Sequence, residues 1–302
     1  MQYNKKHYLC NMKINHLIIL LFTLIILQGC GGKNRTSDRP TLTVTLEPLR
    51  YFTEAIAGDR YNVVSMVPEG NSPETYDPTP QQMVALTKST AYLRIGYIGF
   101  EQNWTDKLKS NAPHLRIFDT SQGVSLIREE TFEHGDHHHP GGVEPHIWNS
   151  PRNASIIATN IYHALCDIDS GNRAYYKQRL DSLSLIIEHT DQKIRSLLST
   201  ADSTFLIYHP ALSYYARDYG LTQISIEEGG KEPSPTRLQE LIEKCRRANV
   251  QTIFVQQEFD THNAESIARE LKLNIIRINP LNYHWEEEMI RIAGALNKKK
   301  QS

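Results

Sequence analysis

The sequence predicts an α/β protein that contains two parallel β-sheets. Three observations support this class: short β-rich runs alternate with amphipathic helix patterns, the alternation occurs in two series, and one long helix pattern separates the series. Alternating strands and helices form parallel sheets because each helix returns the chain to the same end of the sheet through a right-handed crossover. About 260 residues follow the N-terminal segments described below, which is enough for two α/β lobes.

The first series contains four strand patterns. Its first strand, 41–46, alternates threonine with apolar residues, and the helix pattern after it ends at Gly58, a residue type common at helix ends. The further strands are predicted at 61–67, 91–95 and 115–118, and the helices at 49–57, 81–89, 100–110 and 150–168. The series therefore predicts one parallel sheet.

The longest helix pattern covers residues 172–198. Its leucine and isoleucine residues recur at spacings of three, four and seven, and it contains neither proline nor glycine. At 1.5 Å per residue such a helix would be about 40 Å long, enough to run the height of the molecule. The pattern alone leaves two interpretations open: a core helix of a single domain, or a helix that joins two lobes.

The second series repeats the alternation after the long helix. Its strands are predicted at 205–208, 223–226, 252–255 and 273–278, and its helices at 211–219, 234–248, 263–271 and 285–296. Ligands of open parallel sheets bind beyond the carboxyl ends of the strands. His209, residues 256–258 and Asn279 each follow such an end, and residues 71–78 follow the strand 61–67 of the first series. These positions predict a ligand site in a cleft between the lobes.

The N-terminus has the pattern of a bacterial lipoprotein signal. Lys5, Lys6 and Lys13 precede an apolar run, 17–27, which is too short to span a bilayer but suits the apolar region of a signal peptide. Leu27-Gln28-Gly29-Cys30 then looks like a lipobox, with cleavage before Cys30 and attachment of a lipid to its thiol. The alternative is a short anchor helix that ends in cysteine by chance.

This interpretation assigns 1–29 to the signal peptide and 30–40 to a polar, flexible tether. Met12 is an alternative start, because the segment that begins there is a complete signal on its own. We therefore expect the protein on the extracytoplasmic side of a membrane, held there by the lipid on Cys30.

Charge and cysteine content restrict the possible functions. Removal of the signal takes three lysines from 33 basic residues and leaves 34 acidic ones, and this mildly acidic balance argues against nucleic acid as a partner. Cys166 and Cys245 then remain, one in each series, and two buried thiols are expected rather than a disulfide. Cysteine ligation of a metal is therefore not expected.

Two short histidine motifs carry the functional signal. Glu144-Pro145-His146-Ile147-Trp148 and Ile207-Tyr208-His209-Pro210-Ala211 each place one imidazole in a loop at the edge of an apolar stretch. Imidazole is a common ligand of zinc, copper, iron and nickel. The motifs resemble the D-P-H-x-W and Y-H-x-A-x-x-Y-x-x-x-Y-G-L segments of the zinc- and manganese-binding proteins of bacterial metal-ion ABC transporters. The second segment corresponds to 208–221 here, and the resemblance covers about residues 41–297.

The resemblance implies an extracytoplasmic protein that binds a divalent metal ion between two lobes and delivers it to an ABC permease with its ATPase. It favours the long helix as the backbone that joins the lobes. The implied organisation is an N-terminal lobe at 41–171, a linking helix at 172–200 and a C-terminal lobe at 201–302. A monomer is expected.

The implied metal ligands depart from the family pattern in two places. Glu74 stands where the family has its first histidine, and Asn279 stands where it has an aspartate before Pro-Leu. Glu258 lies one or two positions after the glutamate that some members use. The expected set is Glu74, His146 and His209, with Asn279, Glu258 or water in the fourth position. The alternatives are a surface carboxylate for Glu74 and a turn residue before proline for Asn279.

A histidine-rich run precedes the first motif. His134, His137, His138 and His139 are followed by a Pro-Gly-Gly sequence, which predicts a flexible loop with affinity for metal ions. Similar zinc-binding proteins carry a longer histidine-rich loop here, so an auxiliary role in zinc capture is expected; the alternative is a solvated loop without a role. Histidine favours Zn²⁺ over Mn²⁺, which prefers oxygen, while Glu74 favours Mn²⁺. Zn²⁺ is the expected ion, with Mn²⁺ or iron as the alternative.

An enzyme is an alternative class, because two histidines and a glutamate also form open catalytic zinc sites. An H-E-x-x-H or related helix motif is absent from the sequence, and the two histidines lie in separate predicted lobes. A zinc hydrolase is therefore not expected. A lipid-anchored, metal-dependent adhesin on the same fold is a third class.

Overall fold

The structure is a computed structural model that describes residues 39–128, 142–227, 233–257 and 262–297. Residues 40–302 form one compact unit. The signal peptide, Cys30, the histidine-rich run and Glu258 lie outside the described residues, so what the sequence predicts for them stays a prediction. Within the described ranges, no helix is both long and apolar enough to cross a membrane.

The N-terminal lobe contains a four-stranded parallel sheet with the strand order β2-β1-β3-β4. Its strands are β1 (Thr41–Val44), β2 (Asn62–Ser65), β3 (Ala91–Arg94) and β4 (Arg116–Asp119). Its helices are α1 (Glu47–Ala57), α2 (Pro80–Thr87), α3 (Gly99–Asn111) and α4 (Pro151–Ile168). Each predicted strand and helix of the first series is present, with small shifts at the ends.

The C-terminal lobe repeats this arrangement with the strand order β6-β5-β7-β8, again all parallel. Its strands are β5 (Thr204–Ile207), β6 (Thr222–Ser225), β7 (Thr252–Gln256) and β8 (Asn274–Ile278). Its helices are α6 (Ser213–Tyr219), α7 (Pro235–Arg247), α8 (His262–Leu271) and α9 (Trp285–Leu296). In both lobes the first strand lies between the second and the third, so the residues after β5 lie near the middle of the sheet edge.

The long helix α5 (Arg173–Leu198) has 26 residues and is therefore about 39 Å long. It packs against α1 and α4 of the first lobe and against α9 of the second. Its buried face consists of residues spaced by three, four and seven: Tyr176, Leu180, Leu183, Ile187, Thr190 and Ile194. The α/β class with two parallel-sheet lobes and a connecting helix is thus confirmed, whereas the division of the chain into domains at 171 and 200 stays a prediction.

One hydrophobic cluster crosses the junction between the lobes. It extends from Leu42 of the first sheet through Leu183 of α5 to Phe205 and Trp285 of the second lobe. A second cluster fills the opposite face of the second sheet, with Leu206 pointing away from its neighbour Phe205 because side chains alternate along a strand. A core shared by both lobes opposes wide separation of the lobes, since that motion would expose apolar surface to water.

Local sequence fixes where three helices begin. Thr79, Ser150 and Ser234 cap α2, α4 and α7, because each hydroxyl accepts a hydrogen bond from a backbone N–H in the first turn. A proline follows each cap, at the position where a helix needs no N–H donor. Thr79 and Ser150 end the two segments of the first lobe that contain Glu74 and His146.

Candidate metal centre

Three side chains converge in the cleft: Glu74, His146 and His209. The Nε2 atoms of His146 and His209 are 3.2 Å apart. The Oε1 atom of Glu74 lies 3.6 Å from Nε2 of His146 and 3.1 Å from Nε2 of His209. Both imidazoles are buried, whereas the Glu74 side chain is 31% exposed. The structure thus brings together three of the residues that the sequence analysis expects as ligands.

The spacing of these three atoms fits a first-row divalent metal ion. Ligand atoms about 2.0–2.2 Å from a tetrahedral ion are about 3.3–3.6 Å from each other, which is close to the observed triangle. The cavity between them has a volume of about 10 Å³, room for one water-sized particle. Two neutral imidazoles and one carboxylate would leave a divalent ion with a single net positive charge, which suits a site of nitrogen and oxygen donors.

Glu74 lies in the segment between β2 and α2. The hydroxyl of Tyr76 donates to Oε1 of Gln82 at 2.6 Å, and Gln82 completes the capping box at the start of α2. Nε2 of Gln82 also donates to the carbonyl of Met66 at 3.0 Å, next to the end of β2. These bonds hold the segment on either side of Glu74 and leave its carboxylate directed at the imidazoles.

Glu144 orients the ring of His146. Its Oε1 accepts a hydrogen bond from the Nδ1–H of that ring and another from the backbone N–H of His146 at 3.0 Å. Its Oε2 accepts from Oγ of Ser213 at 3.2 Å, and its carbonyl accepts from the hydroxyl of Tyr214 at 2.8 Å. Because Nδ1 is a donor, the lone pair on Nε2 is available on the cleft side of the ring.

Glu227 and Gln256 hold His209 in the same way. Oε2 of Glu227 accepts from the Nδ1–H of His209 at 2.7 Å. The Gln256 side chain accepts from the backbone N–H of His209 at 3.4 Å and donates to its carbonyl at 2.6 Å. The N–H of Ala211 donates to the same carbonyl at 2.7 Å, so a turn follows His209 and α6 begins at Ser213, two residues later than predicted.

Glu144 and Glu227 are functional residues that the sequence alone did not predict, although a feature of the sequence indicates each of them. Glu144 lies two residues before His146 in the first histidine motif. Glu227 follows β6, which pairs with β5, so the carboxyl ends of these strands and the residues after them are neighbours. Carboxylates behind metal-binding imidazoles fix the ring orientation and raise the basicity of the ligand nitrogen.

Burial and charge shift the pKa values of the cluster in opposite directions. Burial lowers the pKa of His209, but hydrogen bonds from its ring to Glu227 and Glu74, and the charges of these carboxylates, raise this pKa to about 9. Burial raises the pKa of Glu74, but the hydrogen bond with His209 and the charges of both imidazoles lower it below its usual value. Burial likewise raises the pKa of Glu144, and the charge and hydrogen bonds of His146 outweigh that effect and lower it. At neutral pH the metal-free cluster therefore contains a doubly protonated, positively charged His209 beside an ionised Glu74.

Hydrogen bonds between the lobes surround the cluster. The indole N–H of Trp148 donates to the carbonyl of Pro280 at 2.8 Å, and the indole N–H of Trp285 donates to the carbonyl of Trp148 at 2.8 Å. Nδ2 of Asn149 donates to the carbonyl of Ala211 at 2.9 Å. These three buried bonds tie the chain that follows His146 to the second lobe.

Asn279 is not placed with the three converging side chains. Its Oδ1 accepts a hydrogen bond from the N–H of Leu281 at 3.1 Å, and its own N–H donates to Oε1 of Glu288 at 2.8 Å. The next two residues, Pro280 and Leu281, line the cavity, but Asn279 does not. The side-chain oxygen of Asn279 thus bonds within its own loop, which fits the turn interpretation of asparagine before proline, and its role as a fourth ligand stays a prediction.

Comparison with known proteins supports the metal-binding interpretation. Residues 42–290 match the sequence profile described as ZnuA, zinc-uptake complex component A, periplasmic. A crystal structure of ZnuA superposes with a TM-score of 0.78 and 34% identity, over 85% of this chain and 97% of that chain.

Two curated relatives carry the names of different metals. The manganese ABC transporter substrate-binding lipoprotein PsaA of Streptococcus pneumoniae serotype 4 is 27% identical over 287 residues, which is 87% of this chain and 88% of PsaA. The zinc-binding lipoprotein AdcA of Streptococcus pneumoniae R6 is 24% identical over 298 residues, which is 92% of this chain but only 57% of AdcA. The relatives agree on metal binding and differ on the ion.

Proposed function

Because the chain belongs to the ZnuA family of metal-binding substrate-binding proteins of ABC transporters, we propose that it captures Zn²⁺ between its lobes and delivers the ion to an ABC permease. The family prediction made from the histidine motifs is confirmed, and with it the prediction that the protein is not an enzyme. We propose the identity of the ion, the residues that bind it and its delivery to the permease.

The observation that carries the proposal is the triangle formed by two imidazole nitrogens and one carboxylate oxygen. Each imidazole donates its Nδ1–H to a buried carboxylate, Glu144 or Glu227, so both Nε2 atoms are prepared as metal ligands. Two of the three donors are imidazole nitrogens, and the distances between the three atoms are close to those around a tetrahedral ion. Both features favour Zn²⁺. Mn²⁺ is the second candidate, favoured by the carboxylate of Glu74 and by the name of the relative PsaA.

Metal exchange is proposed to depend on Glu74 more than on wide separation of the lobes. Glu74 is more exposed than His146 and His209, while the two histidines sit beside hydrogen bonds that cross between the lobes. A displacement of the Glu74 carboxylate would open the coordination sphere without breaking those bonds. Such local motion fits lobes that share a core and a rigid connecting helix.

The remaining parts of the transport proposal rest on the sequence. Several relatives are named lipoproteins, and the segment that ends in Cys30 has the pattern of a lipobox, which supports anchoring at the extracytoplasmic face of a membrane. The run from His134 to His139 is proposed to collect Zn²⁺ and raise its concentration near the cleft.

Capture is tested with tag-free protein, because a histidine tag would itself bind zinc. Competition with a chromophoric chelator should give one tight site for Zn²⁺. Absence of a tight site for any divalent ion would contradict the proposal. The relative affinities for Zn²⁺ and Mn²⁺ do not identify the transported ion, since affinity rises from Mn²⁺ to Zn²⁺ at almost any site of this kind.

Identity of the transported ion is tested in cells that lack the gene. The proposal expects slow growth when zinc is chelated, restored by the wild-type chain and not by His209→Ala. Growth under manganese limitation should not change. A defect confined to manganese limitation would make Mn²⁺ the transported ion.

A further inference from the structure

Glu101 is a buried carboxylate near the start of α3 that does not belong to the converging metal cluster. Its side chain is 1% exposed. Burial of a carboxylate is costly unless hydrogen bonds compensate for the lost water. The hydrogen bonds that Glu101 accepts must therefore compensate for the lost water.

The carboxylate joins three elements of the first lobe. Its Oε1 accepts from the hydroxyl of Thr45, just after β1, and from the N–H of Ile95 at 2.9 Å. Its Oε2 accepts from the N–H of Gly96 at 2.5 Å. The turn between β3 and α3 is thus fixed by the side chain of a residue in the helix that the turn leads to.

Gly96 shows how tightly this turn is constrained. Its φ of +99° is a conformation that other residues rarely adopt, and a Cβ atom there would lie 2.8 Å from Oδ2 of Asp119. The backbone therefore turns sharply at Gly96, and this turn directs the two N–H groups at Glu101.

The residues just before Glu101 contact the segment that carries Glu74. A Cβ atom built on Gly99 would lie 3.4 Å from the carbonyl oxygen of Glu74, so the two backbones lie side by side with space for little more than a methyl group between them. The ring of Phe100 packs edge-to-face on Tyr76, with ring centroids 6.1 Å apart. Glu101 thus anchors a helix start whose first two residues support the metal-binding segment from behind.

We propose that Glu101 is a positioning residue for the metal ligand Glu74: it holds the start of α3 where Gly99 and Phe100 support the backbone of Glu74 and the ring of Tyr76. The proposal rests on the function proposed above. Metal ligands must be held to within a fraction of an ångström, and the supporting groups matter nearly as much as the ligands. Because the segment of Glu74 is partly exposed, support from α3 has a direct effect on where its carboxylate lies.

The test is a double-mutant cycle with Glu101→Gln and Glu74→Gln. Glutamine keeps one acceptor oxygen but places an NH₂ group against a backbone N–H, so the turn loses one of its bonds. Glu101→Gln should weaken zinc binding about 10- to 100-fold in the wild-type background. It should change affinity less than about 2-fold when Glu74→Gln is already present, because the ligand through which it acts has been removed.

A spectroscopic readout and a control separate positioning from general destabilisation. The visible spectrum of bound Co²⁺, which reports ligand number and symmetry, should be similar in Glu101→Gln and Glu74→Gln. Thr53→Ala is the control, because among the described residues the buried hydroxyl of Thr53 bonds only within α1, to the carbonyl of Leu49 at 2.7 Å. This variant should lose stability while keeping the wild-type affinity and spectrum.

Phe100→Leu covers the case in which Glu101→Gln fails to fold, since it removes the ring behind Tyr76 and leaves the carboxylate in place. Phe100→Leu should also weaken zinc binding when Glu74 is present and have little effect on it in the Glu74→Gln background. Equal losses of affinity with and without Glu74, or wild-type affinity in both Glu101→Gln and Phe100→Leu, would overturn the proposal. Failure of the wild-type chain to bind zinc would instead overturn the proposed function.

Discussion

His146 and His209 face each other across the cleft with their Nε2 atoms 3.2 Å apart and their ring centroids 5.0 Å apart. Each ring donates its Nδ1–H to a carboxylate, so two neutral rings would direct lone pairs at each other. A proton on His209 removes this repulsion in the metal-free protein, and a metal ion would remove it by binding both lone pairs. The cleft is thus prepared for a cation.

The first prediction concerns the two imidazoles. His146→Ala and His209→Ala should each weaken zinc binding by about 10- to 1000-fold, or roughly 1.4–4 kcal/mol, because each removes one ligand. His189→Ala is the control, because that side chain is 70% exposed on α5. Calorimetry that shows full affinity in both cleft variants would exclude these residues as ligands.

The second prediction concerns the departure from the family at Glu74. Glu74→Gln should lower affinity because it removes a charged oxygen ligand, whereas Glu74→His should give a site of three imidazoles that binds Zn²⁺ and discriminates more strongly against Mn²⁺. Glu69→Gln, an exposed carboxylate of the same segment, should have no effect. If the Glu74→Gln variant bound zinc as tightly as the wild type, Glu74 would be an ordinary surface carboxylate.

The third prediction concerns the carboxylates behind the imidazoles. Glu144→Gln and Glu227→Gln should each weaken binding about 10- to 100-fold, because the rings lose a strong acceptor at Nδ1 and with it part of their basicity and orientation. Titration against a chromophoric chelator measures the change. An unchanged affinity in both variants would mean that these carboxylates only stabilise the fold.

The fourth prediction concerns pH. The pKa of His209 is about 9 in the metal-free protein, so zinc must displace a proton, and affinity should rise about 10-fold per pH unit between pH 6 and 9. Calorimetry in buffers of different ionisation enthalpy counts the released protons, and at least one per ion is expected. Affinity that is independent of pH over this range would contradict ligation by His209.

The same pKa predicts how the stability of the metal-free protein depends on pH. The folded-state pKa of His209 lies above the value of about 6.5 for an unfolded histidine. The contribution of His209 to the free energy of unfolding is therefore complete below about pH 6.5 and is lost as the pH rises through about 9. Metal-free protein should lose this stability between those values, and His209→Ala should lack that dependence in thermal unfolding.

The fifth prediction concerns the histidine-rich run. Deletion of residues 134–140 should leave one tight zinc site, remove weaker additional sites and slow metal acquisition when zinc is scarce, because the run adds ligands but no residue of the cleft. The number of ions bound per chain, measured by elemental analysis, checks this. Loss of the tight site on deletion would make the run part of the primary coordination sphere.

The sequence predicts the site well where one residue follows directly from the end of a strand. His209 comes two residues after β5, in the middle of the sheet edge, so strand order alone places it near the cleft. Glu74 and His146 lie in longer segments, and their family motifs were needed to join them to His209. The prediction for Asn279 came from its place after β8 and from the family position, and neither shows that its side-chain oxygen accepts a hydrogen bond from the N–H of Leu281.

The roles of the supporting carboxylates Glu227 and Glu101 could not be predicted from the sequence. Glu227 contacts His209 because β6 pairs with β5, and Glu101 supports Glu74 through a turn and a helix start. Both relations depend on register and on side-chain direction, which periodicity does not specify. Chemistry of residue types identifies ligands, whereas three-dimensional packing identifies the residues that hold them.

The central claim is that one zinc ion is held by Glu74, His146 and His209. Its most direct test is the anomalous diffraction of crystals grown from tag-free mature protein with one equivalent of Zn²⁺, recorded at the zinc absorption edge. We predict one peak in the cleft, about 2.0–2.2 Å from Nε2 of both imidazoles and from a carboxylate oxygen of Glu74. A peak outside the cleft, or one in the cleft without Glu74 within bonding distance, would contradict the account.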